Sequence, residues 1–130
     1  MTDLKAMGRA AAAVKPVLLR MTADEKNKGL LAGADGLVRH REYILQANQR
    51  DMKAAEENGM SLGLLDRLRL TEERIASMAE GLRQVAELAD CVGETIEEFR
   101  RPNGLQIRKI RVPLGVAGII YEARPNVTAD

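Results

Sequence analysis

The sequence predicts an α/β segment in which helices come first and strands last. Three features carry that expectation. Apolar residues recur at helical spacing as far as Ala89, an Asn-Gly pair at positions 103 and 104 separates two β-prone runs, and a continuous apolar run occupies residues 115–121.

Leu4, Met7, Ala11, Val14 and Leu18 fall at spacings of three and four, which lines them on one stripe of a first helix with Pro16 near its end as a potential kink. Thr22 and Glu25 have capping-box spacing, and Leu30, Leu31, Ala34, Leu37 and Val38 follow as the apolar face of a second helix. Residues 41–57 continue on a weaker stripe through Ile44, Leu45, Met52 and Ala55, with Gly59 placed to end the helix in a left-handed conformation. Leu62, Leu64, Leu65, Leu68 and Leu70 predict a short helical turn docked into the same core. Thr71 followed by Glu72 and Glu73 is an N-cap with acidic charge at the positive end of the helix dipole. Ile75, Met78, Ala79, Leu82, Val85, Ala86 and Ala89 then repeat at helical spacing.

After Gly93 the pattern changes. Thr95 to Phe99 and Leu105 to Val112 flank Pro102-Asn103-Gly104, a hairpin signal because Asn and Gly both tolerate positive φ. Leu105 and Ile107 are out of phase with Ile110 and Val112, so a one-residue bulge is expected near Arg108 and Lys109. The run at 115–121 has the character of a strand buried on both faces, the habit of parallel sheets covered by helices. Such a strand needs partners delivered by crossover connections, and this sequence holds no second strand of that kind.

Composition narrows the function classes. At 130 residues, with 45% hydrophobic and 30% charged residues, the chain has the make-up of one soluble domain. Twenty Lys and Arg against nineteen Asp and Glu leave no global field to attract nucleic acid or anionic lipid. Tyr43, Tyr121 and Phe99 are the only aromatics, which gives a base-stacking surface almost nothing to work with. The single Cys91 allows no intrachain disulfide and no zinc cluster, and charges at Asp3, Lys5, Arg9 and Lys15 interrupt any signal-peptide core. A cytoplasmic protein with neither a nucleic-acid nor a membrane partner is expected, and no metal site.

Three places invite chemistry. His40 and Cys91 are the only residues of their kinds, but nothing in the sequence requires them to meet, and Cys91 is expected to serve as a small packing residue. Arg100, Arg101, Arg108, Lys109 and Arg111 crowd the hairpin, where Glu94, Glu97 and Glu98 are natural cross-strand partners, so a solvated or edge-protecting face is favoured over a phosphate-binding one. The junction Tyr121-Glu-Ala-Arg-Pro-Asn126 is the most informative. Ligands in open α/β sheets sit beyond the carboxyl ends of the strands, where Arg124 can meet a phosphate and the Asn126 amide can donate to an oxyanion. Ordinary turn chemistry at Pro125-Asn126 accounts for the same residues.

The stretch RVPLGVAGIIYEARPNVTAD, from Arg111 to Asp130, resembles the signature of gamma-glutamyl phosphate reductases, within the aldehyde dehydrogenase superfamily. Further similar blocks run upstream in order: Glu25-Lys26-Asn27, ILQANQRD from Ile44, GMSLGLLDRLRLTEERI from Gly59 and RRPNGL from Arg100. The resemblance implies an α/β protein with three parts. Residues 1–93 would be an N-terminal helical segment, 94–112 a β-hairpin of the oligomerisation extension, and 113–130 the start of a truncated Rossmann-like domain that binds NADPH. It also implies an enzyme of proline biosynthesis, a homo-oligomer when full length, that reduces L-glutamate 5-phosphate to the semialdehyde through a cysteine thioester. Asn126 matches the oxyanion-hole asparagine of the superfamily, and Glu122, Ala123, Arg124 and Pro125 match the lining of the nicotinamide end of the cofactor. Cys91 does not match the nucleophile, which lies downstream in the family, so the segment alone is expected to be inactive. The competing expectation is a noncatalytic helical interaction module with a basic hairpin.

Overall fold

The computed structural model describes residues 3–129 of the chain. They form two compact units. One gathers the residues up to Ala23 with Ala89–Gly118, and the other gathers Asp24–Leu88 with the residues from Ile119 onward.

In the first unit, helix α1 (Leu4–Leu18) starts at Asp3, whose carboxylate accepts from the backbone N–H groups of Lys5 and Ala6 at 2.9 and 3.0 Å. The helix runs through Pro16 to Leu18 and buries none of its residues, so the apolar stripe read from the sequence is left exposed.

Strands β1 (Thr95–Arg100) and β2 (Gln106–Ile110) form the expected antiparallel hairpin. Its turn uses one positive φ rather than two. Only Gly104 takes one, at 89°, while Asn103 works through its side chain, whose Oδ1 accepts from the Leu105 N–H at 3.1 Å. The bulge is also displaced from its expected place. β2 is regular through Arg108 and Lys109, and the register shifts at Ile96 on the opposite strand, between Thr95 and Glu97. Phase along one strand says that a residue must be absorbed but does not say which strand absorbs it. The resulting register sets Glu97 opposite Lys109 and Glu98 opposite Arg108, and Glu94 pairs with Arg111 at 2.7 Å. Arg101 covers the Phe99 ring at 5.2 Å from its centroid. The basic hairpin residues are thus largely matched by acids or an aromatic, and all are exposed, where such pairs contribute little stability.

Residues 111–121, which hold the apolar run, form no strand. Leu114 and Ile120 are fully exposed, because among the described residues no neighbouring strand offers a ladder. Gly115 takes a φ of 110°, which a side chain would resist.

The second unit is helical: α2 (Ala23–Arg39), α3 (Arg41–Glu57), α4 (Leu62–Leu68) and α5 (Glu72–Ala86), followed by a 3-10 turn at Pro125–Thr128. The α2–α3 boundary falls at His40, whose φ of −101° and ψ of 16° interrupt the helix without a side-chain cap. Helix α3 ends as Gly59 predicts. Gly59 has φ 74°, its N–H donates to Glu56 O, and the Met60 N–H donates to Ala55 O, both at 3.0 Å. Met60 then packs on the cluster of Met52, Ala55 and Leu65. Thr71 caps α5 by accepting from the Arg74 N–H at 3.2 Å. The fully exposed Glu73 carboxyl is held below its ordinary range by its own backbone N–H and then by the Thr71 hydroxyl.

Small residues bring α2 and α5 together. Ala34 and Ala79 are completely buried, a Cβ on Gly33 would sit 3.6 Å from Leu82, and Arg83 reaches Asp35 at 3.1 Å. Ile75 is the largest fully buried side chain of this core.

Candidate functional site

Two sets of side-chain bonds shape the segment between α4 and α5. Asn48, 5% exposed on α3, donates from Nδ2 to Leu68 O and accepts at Oδ1 from the Leu70 N–H, both at 2.8 Å. Arg74 donates to Asp66 O at 2.5 Å, to Arg69 O at 2.6 Å, and to the Asp66 carboxylate at 3.2 Å. The part-buried backbone groups of this segment thereby gain partners, and the segment is fixed from both sides. These bonds give structural reasons for Asn48, Asp66 and Arg74, which fall within the recognised blocks.

The 121–129 stretch is built locally. Ala123 takes a φ of 51°, in the left-handed region, and turns the chain into the 3-10 turn. Pro125 stands in its first turn, the Val127 N–H donates to Arg124 O at 3.1 Å and the Ala129 N–H to Asn126 O at 2.9 Å. Tyr121 and Thr128 join their hydroxyls across the turn at 2.7 Å.

This turn packs on α5. The structure thereby brings Arg124, Pro125 and Asn126 to one wall of an open cleft of about 500 Å³. The facing wall carries Asp66, Arg67, Arg69, Arg74, Ser77 and Met78. Glu122 and Ala123 stand outside the lining, and among the described residues their backbone groups make no hydrogen bonds. On the other side of Pro125 lies a more apolar groove of about 480 Å³, bounded by Leu37, Ile44, Leu70, Met78 and Leu82.

Four guanidinium groups therefore meet one carboxylate at the cleft, and Asp66 is already engaged by Arg74. Among the described residues, the side chains of Arg67, Arg69 and Arg124 form no ion pair or hydrogen bond. Of this lining the sequence singled out Arg124 and Asn126 but not Arg67 and Arg69, more than fifty positions upstream. The only local signal was the alternation of arginine with leucine in Asp66-Arg-Leu-Arg-Leu70.

None of the remaining sequence candidates lines this cleft. His40 is exposed at the α2–α3 junction of the helical unit, whereas Cys91 belongs to the other unit. Cys91 is an exposed free thiol and not the packing residue expected of it, because residues 87–94 loop between α5 and β1 with none of their side chains buried. Among the described residues no three His, Cys, Asp or Glu side chains converge on a metal position, and no helix is long and apolar enough to cross a membrane.

No family model matches the chain. Curated relatives do. The gamma-glutamyl phosphate reductase of Anoxybacillus flavithermus is 55% identical over 113 residues, covering 87% of this chain and 27% of the relative. That of Halalkalibacterium halodurans is 50% identical over all 130 residues, which are 31% of its length. Among solved structures, gamma-glutamyl phosphate reductase from Thermotoga maritima superimposes with a TM-score of 0.94 and 41% identity over 98% of this chain and 31% of that one. The Saccharomyces cerevisiae structure of the same name gives 0.86 at 28% identity. The chain thus spans about three tenths of the length of the curated relatives it matches.

Proposed function

Because the chain is homologous along its length to gamma-glutamyl phosphate reductases, we propose that it is the N-terminal part of an NADPH-dependent reductase of proline biosynthesis. That enzyme converts L-glutamate 5-phosphate to L-glutamate 5-semialdehyde and phosphate in the cytoplasm and works as a homo-oligomer. The observation that carries this reading is identity of 50% over all 130 residues together with a backbone match of 0.94. A helical interaction module with a basic hairpin is less well supported, since the hairpin's cations already have acids or an aromatic beside them.

The α/β character, with helices leading into a small sheet, agrees with the N-terminal region of an aldehyde dehydrogenase-like protein. Residues 94–112 are proposed to join the oligomerisation extension, and the run at 113–121 to become the first strand of the cofactor domain once parallel neighbours flank it. Asn126 is proposed to donate from its amide to the oxygen of the reacting carbonyl as negative charge develops there. Glu122 to Pro125 fit the edge of a nicotinamide site through the backbone groups of Glu122 and Ala123, which make no hydrogen bonds among the described residues, and through the exposed Arg124 side chain. When bound, the cofactor supplies a hydride. The nucleophilic thiol is assigned to a downstream segment of the enzyme.

The test is to express a full-length reductase carrying this segment and to follow NADPH oxidation with the acyl phosphate, beside the 130-residue chain alone. Activity in the former and none in the latter is expected. An inactive full-length protein, or a fully active isolated chain, overturns the reading.

A further inference from the structure

We infer that Arg67 and Arg69, with Arg124 opposite, form a subsite for a phosphate dianion beside Asn126. The inference rests on the reductase reading above and adds a location for one end of the substrate.

Charge balance is the first support. Acids and bases are almost equal in this chain, so a cation chosen at random has acids to pair with. Arg74 takes the one carboxylate of the cleft, and Arg67, Arg69 and Arg124 are left facing common space without a carboxylate among the described residues. Like charges so placed repel one another, and a dianion between them reverses the sign of that interaction.

Construction is the second. The Arg69 backbone is held at both ends, its N–H donating to Leu65 O at 3.0 Å and its carbonyl accepting from Arg74 at 2.6 Å, and Asn48 pins the residues on either side of it. Arg124 is set by the 3-10 turn that it begins. Ordering the main chain in advance leaves only the side-chain ends to be fixed when an anion arrives.

Position chooses between the anionic groups of the proposed substrate. Its phosphate is bonded through one oxygen to the reacting carbon, so it lies next to any group that polarises the carbonyl. Its α-carboxylate is separated from the reacting carbon by three intervening carbons. A cation cluster sharing a cleft with Asn126 therefore suits the phosphate.

The experiment uses a full-length reductase carrying this segment, with Arg67→Gln, Arg69→Gln and the double variant, and Lys53→Gln on the exposed face of α3 as a control. Arg124 is left out of the deciding set because it also borders the proposed cofactor edge. In the reverse direction, with semialdehyde, NADP and inorganic phosphate, the KM for phosphate is expected to rise about tenfold or more per arginine removed. The KM values for semialdehyde and NADP should change less than about twofold, and Arg69→Lys should recover part of the loss. An unchanged phosphate KM, or a rise confined to semialdehyde or to NADP, overturns the subsite. If a glutamine variant fails to fold, the lysine variants and calorimetric titration of the unsubstituted protein with inorganic phosphate decide it. A wild-type protein without reductase activity sinks the underlying reading instead, and the same titration, showing phosphate bound or not bound, then judges the subsite alone.

Discussion

Replacing Asn48 by alanine removes two hydrogen bonds at one stroke and leaves the Leu68 carbonyl and the Leu70 N–H without the partners they had at 2.8 Å. Each bond is worth about 1 kcal/mol net, and stranding a buried partner adds about 1–3 kcal/mol. The bonds are only partly buried, so water relieves some of the second term, and a total of about 2–4 kcal/mol is expected. The loss should concentrate where α3 holds the 68–70 segment. Amide hydrogen exchange in a full-length reductase carrying the segment reads this directly. Protection of the Leu70 amide should fall by about 1.5 to 3 powers of ten, at roughly 1.36 kcal/mol for each. The amides of Ile107 and Lys109 in the hairpin should keep theirs. Unchanged protection at Leu70, with Asn48→Ala verified, would show that the segment is held by something other than this side chain.

Thr71→Ala should destabilise α5 by about 1 kcal/mol through loss of its cap, seen as a lower urea midpoint. Glu73 adds a pH signature. Its folded-state pKa lies below the ordinary 4.5, so its contribution is present above that value and lost as pH falls through the lowered one. Glu73→Gln should flatten stability in that acid window, and an unaltered acid profile counts against the capping role. Gly59→Ala places a Cβ at φ 74° and should cost about 1–2 kcal/mol, with Gly59→Asn costing less. Equal stabilities would mean that the left-handed turn is not held in solution. Asn126→Ala in the full-length enzyme should lower the chemical step about 100- to 1000-fold while largely sparing cofactor affinity. Normal turnover under conditions where chemistry limits the rate would remove Asn126 from the oxyanion role.

Local chemistry was legible in the sequence. The stripes of α2 and α5, the cap at Thr71 and the left-handed Gly59 follow from residue spacing and from what one side chain can do for nearby backbone. Features that depend on distant segments were not. The site of the hairpin bulge depends on both strands, and the apolar run at 115–121 forms no strand where, among the described residues, no neighbouring strand pairs with it. Asn48 reaches residues twenty positions away through hydrogen bonds that carry no periodic signature. The cleft joins Arg67 and Arg69 to a turn that starts at Arg124, and no window along the sequence contains both. Arg124 and Asn126 could be singled out because an apolar run followed by turn residues is itself a short-range pattern.

The left-handed Ala123 bears on how the turn before Asn126 can vary. An L-residue there gives up about 1–2 kcal/mol that glycine would not. Glycine would recover that energy and also open φ and ψ values closed to alanine, so the turn would be more stable yet less definite. Alanine exchanges stability for a narrower range of directions in which the chain can present the Asn126 amide. A gain in heat resistance at position 123 would accordingly come with looser aim three residues later.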